Sequence, residues 1–150
     1  MLSRTVVQKI VFSIILLIAC SFILIAVVTQ VTNQKSSLNR NQLYQNLVER
    51  SGQLNRGLPK LLDRQTRFER TEVDNYGMRF IYSLINVDKF QYDESILKDQ
   101  VEPQLAQLYC TDAGLDYFRT HADFVEFRYQ DRKERHLFTL RYEPSVCTSA

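Results

Sequence analysis

Three cysteines, two histidines and a run of carboxylates are the residues of this chain whose types could do chemistry. Cys110 could act as a thiol nucleophile with His121 or His136 as its base, since nucleophilic catalysis needs both groups within hydrogen-bond reach. His121 falls in a polar junction and His136 opens an alternating segment as a surface residue, and the favoured reading of Cys110 is a disulfide partner. Cys20 sits in an apolar run, which leaves Cys110 and Cys147 as an even pair near the end of a small domain. That usage fits an oxidising compartment and a disulfide; the competing reading is two unrelated reduced thiols. A bridge would close a loop of 37 residues, contributing about 4 kcal/mol in the chain-entropy picture.

Nine carboxylates lie between Asp88 and Glu126, against Lys89, Lys98 and Arg119. General acid/base work needs two of them with pKa values pushed apart. Nothing in their spacing supplies that, so they read as a solvated helix face. Neither a C-x-x-C pair nor a Cys/His cluster offers a metal site, and no glycine-rich phosphate loop is present. No cofactor and no metal are therefore expected. The last basic and aromatic stretch, through Arg128, Arg132, Lys133 and Arg135, could stack bases and neutralise phosphates. Its alternation is that of any half-buried strand, however, and an exported domain meets no nucleic acid. These four cations instead form a candidate interaction surface for an acidic protein partner or anionic headgroups.

Position along the chain is set first by residues 10–28, nineteen residues with no charge and nothing more polar than Ser13 and Ser21. As a helix they span about 28 Å, close to the roughly 30 Å of bilayer hydrocarbon. No A-x-A-like cleavage pattern follows Val28. Leu17-Ile18-Ala19-Cys20 looks like a lipobox, but cutting there would leave an apolar new N-terminus where polar residues are usual. The segment thus reads as a retained signal anchor that contacts membrane lipid. Arg4 and Lys9 before it, against Lys35 and Arg40 after it, favour a cytoplasmic N-terminus slightly. The expected organisation is a flank at 1–9, the anchor at 10–28, a polar helical stalk at 29–57 and a periplasmic domain at 58–150. Leu38, Tyr44, Leu47, Val48 and Leu54 mark an apolar stripe on the stalk that could face the chain's own copy or a partner.

Within the domain, residues 65–73 and 78–87 are strand-like and separated by the turn cluster Asp74-Asn75-Tyr76-Gly77. Phe80, Tyr82 and Leu84 alternate with Arg79, Ile81 and Ser83, giving one apolar face. Tyr92 to Tyr109 is helical in pattern, with a kink or break expected at Pro103. Thr111 or Asp112 can cap a further short helix that turns Leu115 and Phe118 inward. Residues 123–130 and 136–143 read as two more strands joined by the polar segment Asp131 to Arg135. The fold class is α+β: two hairpins forming one small antiparallel sheet, with helices on one face.

Leu58-Pro59-Lys60, Asp63-Arg64-Gln65-Thr66-Arg67, the aromatic strand through Tyr82, Cys110-Thr111 and the final hairpin ending in Cys147 together resemble a known group. These are small, mostly uncharacterised bacterial envelope proteins with one N-terminal membrane helix and a two-cysteine periplasmic α+β domain. The resemblance implies export, a disulfide and the α+β fold, and carries no activity onto particular residues. Asp131-Arg132-Lys133-Glu134-Arg135 departs from it, standing where a tighter glycine-containing turn is expected.

Arg4 and Lys9 account for the whole formal charge of +2, and the remaining basic and acidic residues balance. The chain then reads as an anchored neutral module of the bacterial inner membrane that binds another envelope protein and is not an enzyme. The alternatives are a small envelope enzyme acting on peptidoglycan or lipid, and a tethered inhibitor of a secreted toxin or lysozyme-like enzyme.

Overall fold

The computed structural model describes residues 39–148, with only the backbone of residue 148. The flank at 1–9, the anchor at 10–28 and the first part of the stalk, Leu38 included, lie outside the described residues. Among those described, no helix is long and apolar enough to cross a membrane. Residues 41–150 form one compact unit.

The described chain is helical over 39–55 (α1), passing Gly52 and stopping short of Gly57. Residues 41–57, expected as stalk, belong with the domain. Leu47 is completely buried and Ser51 nearly so, whereas Tyr44, Val48 and Leu54 stay exposed. Leu47 is the stripe residue sealed in the core, with half-buried Leu43 packed against the same core and Tyr44 edge-on to the Tyr76 ring, and Ser51 makes a polar contact one turn on. Ser51 Oγ lies 2.8 Å from Thr71 Oγ1. The Asn55 side chain pairs with the Thr71 backbone, its Oδ1 accepting from N–H (2.7 Å) and its Nδ2 donating to C=O (3.0 Å). The amide of Asn55 thus occupies a main-chain position that another strand would otherwise use.

Five strands follow: β1 (Lys60–Leu61), β2 (Thr66–Asp74), β3 (Gly77–Leu84), β4 (Val125–Asp131) and β5 (His136–Tyr142), in spatial order β1-β2-β3-β4-β5. The two expected hairpins are present, but the sheet is not wholly antiparallel, because β3 and β4 pair in parallel. The connection between them leaves the end of β3, runs through α2 (Glu94–Thr111) and α3 (Asp116–His121), and re-enters beside the start of β3. A helical crossover of that kind delivers a parallel neighbour.

Helix α2 starts at Glu94 because Asp93 caps it, its carboxylate accepting from Ser95 N (2.9 Å) and Ser95 Oγ (2.7 Å). The helix runs unbroken through Pro103. The missing amide there frees the carbonyl of Asp99, and both residues are exposed, so water can satisfy it. Asp112 ends α2 and caps the short 3₁₀ turn Ala113–Leu115 by accepting from Gly114 N. Leu115 and Phe118 are buried as expected. Cys110 and Cys147 form the disulfide, with Cα atoms 5.4 Å apart, and tie the C-terminal 3₁₀ turn Pro144–Thr148 to the last turn of α2.

Registered rows of side chains cross the sheet on the helix-covered face. Phe68, Tyr82, Tyr129 and Phe138 form one row, with ring centroids 4.8, 5.3 and 4.9 Å apart. Phe80 and Phe127 stack in the next, at 5.6 Å. The opposite face carries Arg70, Ile81, Arg128 and Thr139 in one row and Glu72, Arg79, Glu126 and Arg141 in another. Arg79 pairs with Glu126 and with Asp74 there. Gly77 is needed on this face: a Cβ would run into the Phe124 ring, over which the Arg141 guanidinium stacks.

Candidate functional site: an aromatic-floored trough beneath helix α2

The four cations that stand out in the sequence do not make one free basic patch. Arg128 lies in mid-sheet on the face away from the helices. Lys133 is exposed on the β4–β5 turn. Arg132 and Arg135 are drawn into a network around two carboxylates, Asp131 and Asp88, that the sequence alone does not single out. Asp131, in the segment that reads as a polar connection, is completely buried. Its carboxylate accepts from the backbone amides of Lys89 (3.1 Å), Lys133 (2.9 Å) and Arg135 (2.9 Å), and from Arg135 Nε (2.8 Å). Asp88 accepts from Phe90 N (3.2 Å), Arg135 Nη2 (2.7 Å) and Arg132 Nη2 (3.0 Å). Burial pushes the Asp131 carboxyl up, but the Arg135 hydrogen bonds and the three amides outweigh it and hold it far below the usual carboxylate range. The Phe90 amide, helped by Arg132 and Arg135 against desolvation, lowers Asp88 as well. Glu134 takes the left-handed conformation, φ 61°, that a glycine would have supplied in this turn. The β4–β5 register shifts at Tyr129/Gln130.

The other candidate groups are dispersed. Glu126 is engaged by Arg79. His121 stacks on Tyr117 at the exposed end of α3, and His136 starts β5. Cys110 is held in the disulfide. Among the described residues no cluster of His, Cys, Asp and Glu could hold a metal ion.

What the fold does assemble is a trough between α2 and the β1–β2 loop, about 320 Å³ in volume. Val101, Leu105 and Leu108 line it from α2, at spacings of three and four residues that place them on one helical face. Leu62, Asp63 and Thr66 form the facing wall, and Leu84 and Tyr129 the floor. Leu62, 54% exposed, and Leu108 at 40%, leave apolar surface open along its rim.

The floor carries one polar atom, the Tyr129 hydroxyl, that the protein itself does not pair. Tyr129 and its row neighbour Tyr82 are 6% and 8% exposed, yet neither hydroxyl is hydrogen-bonded among the described residues. One side-chain polar atom there is both sealed from solvent and unpartnered, the hydroxyl of Tyr109, whose ring stacks on Tyr142 outside the trough lining. The hydroxyls of Tyr129 and Tyr82 are not sealed in that way: their rings are buried and their tips still meet water. Tyr142 shows the ordinary arrangement, donating to the Glu102 carbonyl at 3.2 Å; burial pushes its phenol up to about 12. Burial likewise raises Tyr129 and Tyr82 above the ordinary tyrosine range, and the charges of Asp63 and Asp112 add to it respectively. Both therefore stay protonated as donors at neutral pH. A hydroxyl held on a buried ring and bonded to water alone can exchange that water for a partner's acceptor. The signal for this in the sequence is tyrosine at two core-facing positions, Tyr82 and Tyr129, where the next row has Phe80 and Phe127.

No family model matches the sequence, and no curated protein matches it. Solved structures do resemble it. A predicted secreted protein of Pseudomonas aeruginosa superposes with a TM-score of 0.64 at 15% identity, covering 73% of this chain and 96% of its own. EpsS, the pilotin of the Vibrio vulnificus type 2 secretion system, gives 0.61 at 14% identity, over 74% and 96%. AspS, a type II secretion system pilotin of Vibrio cholerae, gives 0.59 at 10% identity, over 75% and 98%. The likeness is one of fold. Each neighbour is covered almost completely, so the shared unit is the whole α+β domain and not a fragment of it.

Proposed function

We propose that this chain is a membrane-tethered docking module of the bacterial cell envelope, and that an envelope protein partner seats in the trough beneath α2. The reading rests on the pairing of exposed leucines on the rim with an unpartnered hydroxyl on the floor. An apolar rim favours association by removing surface from water. The hydroxyl gives it direction, as the few polar groups of a mostly apolar site usually do. Residues 10–28 supply a single-pass tether in the inner membrane, and the disulfide supports a periplasmic position for the domain. The fold shared with two pilotins supports a setting within an envelope assembly. The dispersion of the carboxylates supports a binding role over a hydrolytic one.

The test is photo-crosslinking from the full chain in its native membrane. A photoreactive residue at Leu62 is expected to give a discrete protein adduct that Leu108→Glu abolishes, while the same residue at Arg128, on the opposite face, gives none. Equal adducts from both faces, or none from Leu62, would refute the reading.

A further inference from the structure

We propose that strand β5, the free edge of the sheet, takes an extended segment of a protein partner as a sixth strand, and that this segment carries a carboxylate opposite Arg141. The surface is separate from the trough, whose lining includes no residue of β5.

The two ends of the sheet are treated differently. At the β2 end, β1 pairs with Arg67 and Phe68. Leu62 N donates to the Thr66 carbonyl there (2.9 Å), and the Asn55 amide takes the N–H and C=O of Thr71. At the other end β5 pairs with β4 alone. Alternate residues of an end strand turn their N–H and C=O groups away from the sheet, as a template for another chain. Lys89 Nζ takes the His136 carbonyl at 2.7 Å, at the start of β5. Among the described residues no other bond from outside β4 reaches the β5 backbone. Nor does the strand carry the usual protection of an edge. Leu137 to Tyr142 holds neither proline nor an inward-pointing charge, and the register shift at Tyr129/Gln130 lies at its start. Thr139 is half-buried and Arg141 exposed, so solvent reaches this length of the strand.

The register supplies the chemistry of the added strand. Across the face away from the helices, Glu72, Arg79, Glu126 and Arg141 stand opposite one another in successive strands, negative and positive in turn. Arg79 pairs with Glu126 and places Nη1 3.7 Å from the Glu72 carboxylate. The row stops at Arg141. Its guanidinium is held over the Phe124 ring, 3.5 Å from the centroid, and forms no ion pair among the described residues. A carboxylate on a sixth strand continues the alternation; opposite charges directly across from one another stabilise a strand pair, and like charges destabilise it. A second copy of this chain does not meet that need, because β5 itself contains no carboxylate. A strand added in the plane of the sheet also leaves Arg128, in β4, uncovered.

In such an arrangement the backbone supplies affinity and the facing side chains supply specificity, so the experiment separates the two. It uses the full chain in an uncharged amphipathic polymer. Short synthetic peptides that alternate threonine and valine carry an uncharged dye and a central glutamate, glutamine or lysine, and binding is read by fluorescence anisotropy. The glutamate peptide should bind about threefold more tightly than the glutamine peptide, the scale of one cross-strand ion pair, with the lysine peptide weakest. Arg141→Gln should remove the glutamate preference and leave glutamine-peptide binding unchanged, which also reports an intact edge. Methylating every second backbone nitrogen of the glutamate peptide should abolish binding in one of the two registers and spare it in the other, because only one set of amides faces β5. Equal binding of the three peptides, a glutamate preference that survives Arg141→Gln, or equal effects of methylation in the two registers overturns the inference, as does no binding by any peptide. A chain that is dimeric in the polymer and driven to monomer by these peptides overturns it too, by showing a second copy on the edge.

Discussion

Asp131 shows how far one side chain can depart from what its neighbours in sequence suggest. Followed by Arg132, Lys133, Glu134 and Arg135, it reads as part of a solvated turn, yet it is sealed inside and organises that turn. Residue type cannot reveal this. The groups that make its burial tolerable include backbone amides, which every residue but proline has, and one of them comes from distant Lys89. Tyr82 and Tyr129 are the converse case: their alternation correctly announces a core face, and only their hydroxyls hint at a function there. Removing the Asp131 charge should be costly, since Arg135 keeps only Asp88 of its two carboxylates and the amides of Lys89, Lys133 and Arg135 lose a charged acceptor. Asp131→Asn is expected to lower the thermal midpoint at pH 7 by roughly 10 °C. The folded-state pKa values of Asp131 and Asp88 lie below their unfolded ones. Their contribution is therefore complete above about pH 5, and it is lost as the pH falls from about 4 through the folded-state values. Thermal melts from neutral to strongly acid pH should show that decline in the native sequence and a flatter one in Asp131→Asn.

At the scale of elements, β2 to β5 and α2 are legible to within a few residues because alternation and helical spacing are strong local signals, whereas the two-residue β1 is too short to show a pattern. The antiparallel expectation fails at β3–β4, since strand direction depends on where a long connection returns and no local pattern records that. Pro103 is a helix breaker by type, but its exposed position lets α2 continue at the loss of one bond. Helix α1 looks like spacer because its sequence is polar; its docking relies on Ser51 and Asn55 bonding to Thr71, contacts that hydropathy does not register. The disulfide is legible from the even pair of cysteines that remains once Cys20 is assigned to the apolar run. It joins α2 to the C-terminal turn across 37 residues, so Cys147→Ser should destabilise the domain by about 3–4 kcal/mol in denaturant melts. A reducing agent should bring the native chain to the same level and leave the variant unchanged; an equal response of both would show that the bond is not holding the fold.

For the whole molecule, the two faces of the sheet divide the work. One is crossed by charged rows in which Arg79 joins Glu126 and Asp74; the other is packed by helices and opens at the trough. The formal charge of +2 equals the charge of Arg4 and Lys9, and the remaining basic and acidic residues balance, so net charge does not single out an anionic partner for the domain. A single-pass anchor with a periplasmic domain predicts that a reporter fused to the C-terminus is active only if it works outside the cytoplasm; cytoplasmic activity would remove the envelope setting. The trough is not legible in the sequence because its walls come from α2 and the β1–β2 loop, segments that meet only once the sheet has formed. The proposed docking depends most directly on the Tyr129 hydroxyl, which has no protein partner among the described residues. Tyr129→Phe removes that one oxygen and nothing else. The expected result is a thermal midpoint no lower than that of the native chain, together with partner crosslinking from Leu62 weakened about three- to tenfold, the scale of one neutral hydrogen bond. A lower midpoint with crosslinking unchanged would show instead that the hydroxyl serves the fold and not a partner.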